Sequence, residues 1–410
     1  MSHAVARPAV AVPAAARTAL WIVVGLVGWG YLAVLASHML ATTPPTAGFD
    51  LELLLEAGRR VAVGNSPYDP ALIGGAVVQA ESLFYSYPPP VAQLLSLISG
   101  VPSAAVLVAW AIAATAAFAA VGVAVARRIG VAAPSRVALP IVATAPFVFP
   151  YAVAMLFGNA DVWFPALYGL LLIAVLRPSA PGAVTGGAAL AVAAIAKLHP
   201  ASLGLWFLVH GRPERRIAAV AAVVAIAIVA ASLVIGGLDP WRDYLAVVRA
   251  GMNADVIDPR NAGPTAQVAL LLNVDAGLVR LIQVGVSIAA LVVTAGAARL
   301  VRDPVESLGW AAAASLFTLP VTWYHYPVVL MPFAVAAVLR ADAPATAIPV
   351  RDRRQVGALV LVAAIVGVVA IAVTPLIWVS VALVLAAVRI SRPRAVMAST
   401  AAPPAARVAA

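Results

Sequence analysis

The sequence predicts an all-α integral membrane protein, a polytopic bundle of about 12 transmembrane helices. Three observations carry that expectation. The 410 residues are 64% hydrophobic and only 10% charged, with a mean hydropathy of +1.02, which leaves too little polar surface to cover a water-soluble globule. The apolar residues come in long runs, and one bilayer crossing needs about 20 of them. Basic residues collect between the runs on alternate loops, as the positive-inside rule requires. That placement makes the net charge of +10 an orientation signal and removes nucleic acid as a partner. The chain has no cysteine, which excludes disulfides, thiolate metal sites and thiol nucleophiles.

Residues 1–18 read as a disordered cytoplasmic N-terminus, 19–390 as a single transmembrane domain and 391–410 as a disordered cytoplasmic tail. The run 19–41 lacks a small-residue cleavage site and is long enough to be an uncleaved first helix. Further runs cover 88–126, 137–156, 161–176, 183–198, 200–209, 215–235, 265–298, 305–319, 326–340, 356–373 and 376–390. The runs 88–126 and 265–298 exceed one span and carry breaks, at Gly100 and Pro102 and near Asn273 and Gly277. Each is read as one net crossing with a broken or re-entrant half. Twelve alternating crossings then put 19 of the 26 basic residues on the cytoplasmic side. Outside remain Arg59, Arg60, Lys197, Arg242, Arg249, Arg260 and Arg280, together with 11 of the 16 acidic residues. Carboxylates weigh little in orienting helices, so their concentration outside points to a use there.

Two outer loops, 42–88 and 236–264, are too long to be simple connectors. In the first, Leu51, Leu54, Leu55, Gly58 and Val61 recur at helical spacing, with charged residues on the other faces, as in a helix lying in the membrane interface. A second such stretch runs from Ala71 to about Phe84, after the punctuation of Gly64, Asn65, Pro67 and Pro70.

The residues able to do chemistry gather at outer helix ends. Asp50, just past the first helix, suits either an N-cap or a general base at the membrane rim. Asp50 and Glu52 together would make only a poor divalent-metal chelate, with no histidine at ligand spacing, so neither metal nor cofactor is expected. Asn65 and Tyr68 lie in a Gly-Asn-Ser-Pro-Tyr-Asp-Pro turn, and Tyr85 and Tyr87 precede three prolines. Both stretches fit turn chemistry, an interfacial aromatic belt or a sugar-stacking surface. Asn159 and Asp161 sit at one helix end. Lys197, the only lysine, stands two residues from His199 at another. This pair suits either a helix C-cap or the neutralisation of a phosphate. Trp323, Tyr324 and His325 form either an aromatic belt or part of a polar site.

Taken together, the acid after the first helix, the interface helices, the turn at 64–70, the Tyr87-Pro88-Pro89 step and Trp323-Tyr324-His325 resemble glycosyltransferase family 87. That resemblance implies a C-type membrane glycosyltransferase fold and a polyprenyl-phosphate sugar donor, usually polyprenyl-phosphate mannose. It implies a glycolipid acceptor of phosphatidylinositol mannoside, lipomannan or lipoarabinomannan type, reached on the outer face of an actinobacterial plasma membrane. An arabinofuranose-transferring branch is the alternative. Asp50 matches the family's general base and His325 a histidine of its cavity; Lys197 and His199 match a phosphate-binding role by position at a helix end. Glu52, Asn65, Tyr68, Tyr85, Tyr87, Asn159, Asp161, Trp323 and Tyr324 are candidates for sugar or acceptor contacts. The rival class is a lipid or solute transporter, which usually places ionisable groups at the bilayer midplane in repeated halves. Here they gather at one rim and the halves do not repeat. The oligomeric state is left open.

Overall fold

The computed structural model describes residues 13–43, 45–70, 73, 85–252, 257–343, 346 and 348–393. The second interface stretch expected at 71–84 lies outside them except for Ile73, as do 1–12 and 394–410 of the two ends.

Helix α1 (Ala14–Leu40) starts at Ala14, because three alanines extend it back to Pro13; residues 14–18 are therefore helix and not a disordered terminus. Its 27 residues reach about 40 Å, enough for a ~30 Å hydrocarbon core. Helix α2 (Phe49–Ala62) is the expected amphipathic one, with Leu51, Leu54 and Leu55 fully buried. After it come α3 (Pro89–Ser96) and α4 (Ser103–Ile129), separated by the break expected at Gly100 and Pro102.

The run 137–156 is a correction. It forms two helices, α5 (Ala138–Thr144) and α6 (Phe149–Phe157), and this segment bends by 76°. Pro146 and Pro150 flank the bend, and each removes a backbone donor that a straight helix would use.

Next come α7 (Phe164–Leu176), α8 (Ala180–Ala196), α9 (Leu203–His210) and α10 (Arg212–Gly236). The long loop 236–264 carries its own helix, α11 (Asp239–Met252), before α12 (Pro264–Leu272). Asn273 ends α12 in the left-handed conformation (φ 50°), and Asp275 caps α13 (Ala276–Leu300) by accepting from two backbone N–H groups. The chain closes with α14 (Pro304–Ser315), α15 (Met331–Asp342), α16 (Val350–Val369) and α17 (Leu376–Ile390). Among the described residues there is no strand.

Helices α1, α4, α10 and α13 are each long and apolar enough to cross a membrane, and the bent segment of α5 and α6 is a fifth candidate. Helix α7 sits at the centre, packed on α4, α8, α14 and α15 with Phe164, Tyr168, Leu171 and Leu172 fully buried. Around it, the start of α2, the α6–α7 junction, the end of α8 and the irregular stretch between α14 and α15 come together at one end of the bundle.

Candidate active site

Asp50 is the second residue of α2 and does not cap it. Gly48 holds the cap position with φ 72°, and its N–H donates to the Leu156 carbonyl at 2.7 Å, fastening the first turn of α2 to the end of α6. Half-buried, Asp50 turns inward, and its Oδ2 accepts from Asn159 Nδ2 at 2.8 Å. Burial raises the Asp50 pKa above the ordinary carboxylate value, while the Asn159 bond and the Lys197 charge pull it back down.

Glu52 lies two residues on, about 200° around the helix. It pairs with Arg59 at 2.7 Å on the outer side. One ion therefore cannot take both Asp50 and Glu52, and among the described residues no three His, Asp or Glu are grouped to hold a metal.

Asn159 owes its position to Gly158. Gly158 ends α6 at φ 66°, and a Cβ there would fall 2.6 Å from that of Leu51. Asn159 uses both ends of its amide: Nδ2 reaches Asp50, and Oδ1 accepts the Asp161 N–H at 2.9 Å, capping the 3-10 turn Ala160–Trp163. Its carbonyl accepts from Trp110 Nε1 at 3.3 Å.

Asp161 is fully buried, and its Oδ2 accepts from Lys197 Nζ at 2.8 Å. The same ammonium lies 3.9 Å over the centre of the Tyr326 ring. Lys197 thus ends α8 through its backbone, while its charge turns away from the helix carbonyls toward Asp161. His325 brings Nε2 to 3.3 Å from Asp161 Oδ2, close but without hydrogen-bond geometry.

His199 stacks on Tyr326, with centroids 5.8 Å apart, and its Nδ1 lies 3.2 Å from Ser315 Oγ. Ser315 gives its one proton to the Ala312 carbonyl. Either ring nitrogen can carry the imidazole proton, so Nε2 can donate or accept. Asp161 Oδ1, His199 Nε2 and His325 Nε2 are buried without a partner among the described residues. Orphaned buried polar atoms are rare in folded proteins, and these three at one ion pair fit a polar ligand there. Two surface cavities, about 200 Å³ beside Glu214 and about 470 Å³ beside Arg59, lie away from this cluster.

Tyr87 joins the group: its half-buried phenol feels the charges of Lys197, Asp161 and Asp50, and burial raises its pKa. Tyr68 supports it from behind, donating its hydroxyl to the Tyr87 carbonyl at 2.7 Å. The Tyr85 hydroxyl donates to the Pro88 carbonyl and accepts the Ala92 N–H, holding the start of α3. Asn65 is exposed at the turn after α2. Trp323 packs at the edge of the main core, and the Tyr324 hydroxyl shares a 2.8 Å bond with Thr374.

The fold thus brings together Asp50, Tyr87, Asn159, Asp161, Lys197, His199 and His325, and leaves Glu52, Asn65 and Tyr85 outside that group. Sequence reasoning missed Tyr326, Ser315 and Trp110. Adjacency to His325 was the available signal for Tyr326; the other two lie inside apolar helices and carry none.

A model of glycosyltransferase family 87 matches residues 85–332, more than half of the chain. The chain belongs to glycosyltransferase family 87. It is a membrane glycosyltransferase, and the matched stretch contains Tyr87, Asn159, Asp161, Lys197, His199 and His325. Asp50 precedes the stretch and reaches this family-87 site only through α2. Comparison with curated proteins and with solved structures gives no match.

Proposed function

We propose that this family-87 enzyme transfers mannose from polyprenyl-phosphate mannose to a lipid-anchored glycan on the outer face of the plasma membrane. Twelve crossings with both termini cytoplasmic and one catalytic domain over 19–390 complete the reading. The observation that carries it is the continuous link from the Asp50 carboxylate through Asn159 to the Asp161–Lys197 pair, which sets a base beside a cation.

Asp50 takes the proton of an acceptor hydroxyl as that oxygen attacks the anomeric carbon. The bond from that carbon to the phosphate oxygen breaks on the opposite face, and polyprenyl phosphate leaves with the electron pair. One displacement inverts the centre, so a β-linked donor yields an α-linkage. Lys197 donates to Asp161 and rests over the Tyr326 ring, and its charge is placed to neutralise the departing phosphate. His199 Nε2, buried and without a partner among the described residues, suits a sugar hydroxyl.

Radiolabelled polyprenyl-phosphate mannose and polyprenyl-phosphate arabinose, each offered to membranes with phosphatidylinositol mannoside, lipomannan and lipoarabinomannan acceptors, test the reading. Label from the mannose donor is expected in a lipid product that α-mannosidase cleaves. Transfer from the arabinose donor alone, or from neither, contradicts it.

A further inference from the structure

The stretch from Leu319 to His325 is irregular in an otherwise helical chain, and it ends on a residue of the site. Irregular backbone in a membrane protein must find its hydrogen bonds in other parts of the protein. Here they come from the long loop 236–264. Asn261 is buried, and its Oδ1 accepts the N–H of both Gly263 and Thr322 at 2.9 Å, while its Nδ2 donates to the Pro320 carbonyl at 3.0 Å. The next N–H, that of Ala262, donates to the Thr322 carbonyl at 2.7 Å. Both backbone groups of Thr322 are therefore held by residues 261–262, three positions before His325. The loop is anchored in turn: Trp378 Nε1 donates to the Ala262 carbonyl at 2.7 Å, and the Trp378 ring stacks on Phe317 at 4.4 Å.

We infer that Asn261 is a positioning residue for the transfer reaction, the splint through which that loop sets His325 against Asp161. This rests on the proposed transfer reaction and on His325, beside Asp161, belonging to its site. His325 Nε2 stands 3.3 Å from Asp161 Oδ2, so a shift of 1 Å in the 320–325 backbone changes which groups it meets. Misplacement on that scale costs about a hundredfold in rate.

The test uses the full chain in membranes, with labelled polyprenyl-phosphate mannose and polyprenyl-phosphate arabinose as probes and rates expressed per folded molecule. Asn261→Ala is expected to lower kcat about 10- to 100-fold with donor KM within about twofold. Asn261→Asp keeps both N–H acceptances but turns the donor to the Pro320 carbonyl into an acceptor, so it should recover only part of the rate and serves as the working variant if Asn261→Ala does not fold. Adding either substitution to His325→Ala should slow transfer little beyond His325→Ala alone, because the splint acts through that ring. Unchanged kcat in Asn261→Ala alongside a lower Tm, or a loss that simply multiplies that of His325→Ala, overturns the inference and leaves the site reading standing. A wild-type rate in His325→Ala, or a wild-type chain inactive with both donors, overturns the site reading and the inference with it.

Discussion

Removing the Asn159 amide isolates what it does for Asp50. Its Nδ2 lies 2.8 Å from Asp50 Oδ2 and stabilises the charged form of a carboxyl whose pKa burial raises. A hydrogen bond to a charged group contributes about 1.5–3 kcal/mol, so its loss shifts the balance from carboxylate toward acid by roughly ten- to a hundredfold. The sign follows from the proposed base role: only the carboxylate accepts a proton, so the acidic limb of the pH–rate profile is expected to move up in Asn159→Ala. Asn159→Asp sharpens the test. It keeps an acceptor for the Asp161 N–H, which preserves the cap on the 3-10 turn, but puts a second carboxylate against Asp50. Like charges disfavour ionisation, so Asn159→Asp should be the slower variant at neutral pH although it is the better capped. Transfer rates measured from pH 4 to 9 with purified protein, beside Tm for each variant, separate activity from folding. An acidic limb that stays in place in Asn159→Ala refutes the reasoning.

The Asp161–Lys197 pair is buried, so Lys197→Met should destabilise the fold by about 3–5 kcal/mol through the stranded carboxylate. Lys197→Met with Asp161→Leu should restore Tm without restoring transfer; recovery of activity in that double variant removes Lys197 from the chemistry. Glu52→Gln breaks only an exposed ion pair and should change stability by less than about 1 kcal/mol while keeping most of the activity. Transfer is also expected to persist in EDTA; loss restored by magnesium or manganese argues against the metal-free mechanism. Asn65→Cys introduces the chain's only thiol at an exposed position and should react with an impermeant maleimide from outside intact cells. Reaction only after the cytoplasmic side is opened reverses the proposed orientation.

What was legible in the sequence follows from the range of the forces involved. The helical class and the breaks after α3 and α12 are local, set by apolar runs and by Gly100, Pro102 and Asn273. The amphipathic face of α2 was equally readable from the spacing of Leu51, Leu54 and Leu55. The bend between α5 and α6 was marked by Pro146 and Pro150 but hidden by a run apolar throughout. The N-cap reading of Asp50 failed because Gly48, two residues earlier, takes the left-handed conformation and begins the helix sooner. At the site, residue types and their gathering at helix ends were visible, but not their pairing. Asp50 and Asn159 are 109 positions apart, and Asp161 and Lys197 are 36 apart, so only the packing of α2 on α6 and of α7 on α8 brings them into contact.

The central claim is that Asp50 removes the proton of the acceptor hydroxyl. The direct measurement is the single-turnover rate of Asp50→Asn with bound, labelled polyprenyl-phosphate mannose, alongside donor affinity and Tm. The amide has nearly the same volume and cannot take the proton, and a positioned base contributes about 10²–10⁴-fold. Donor affinity and Tm near wild type with a rate lower by about that factor is the predicted result. A single-turnover rate equal to wild type contradicts the account.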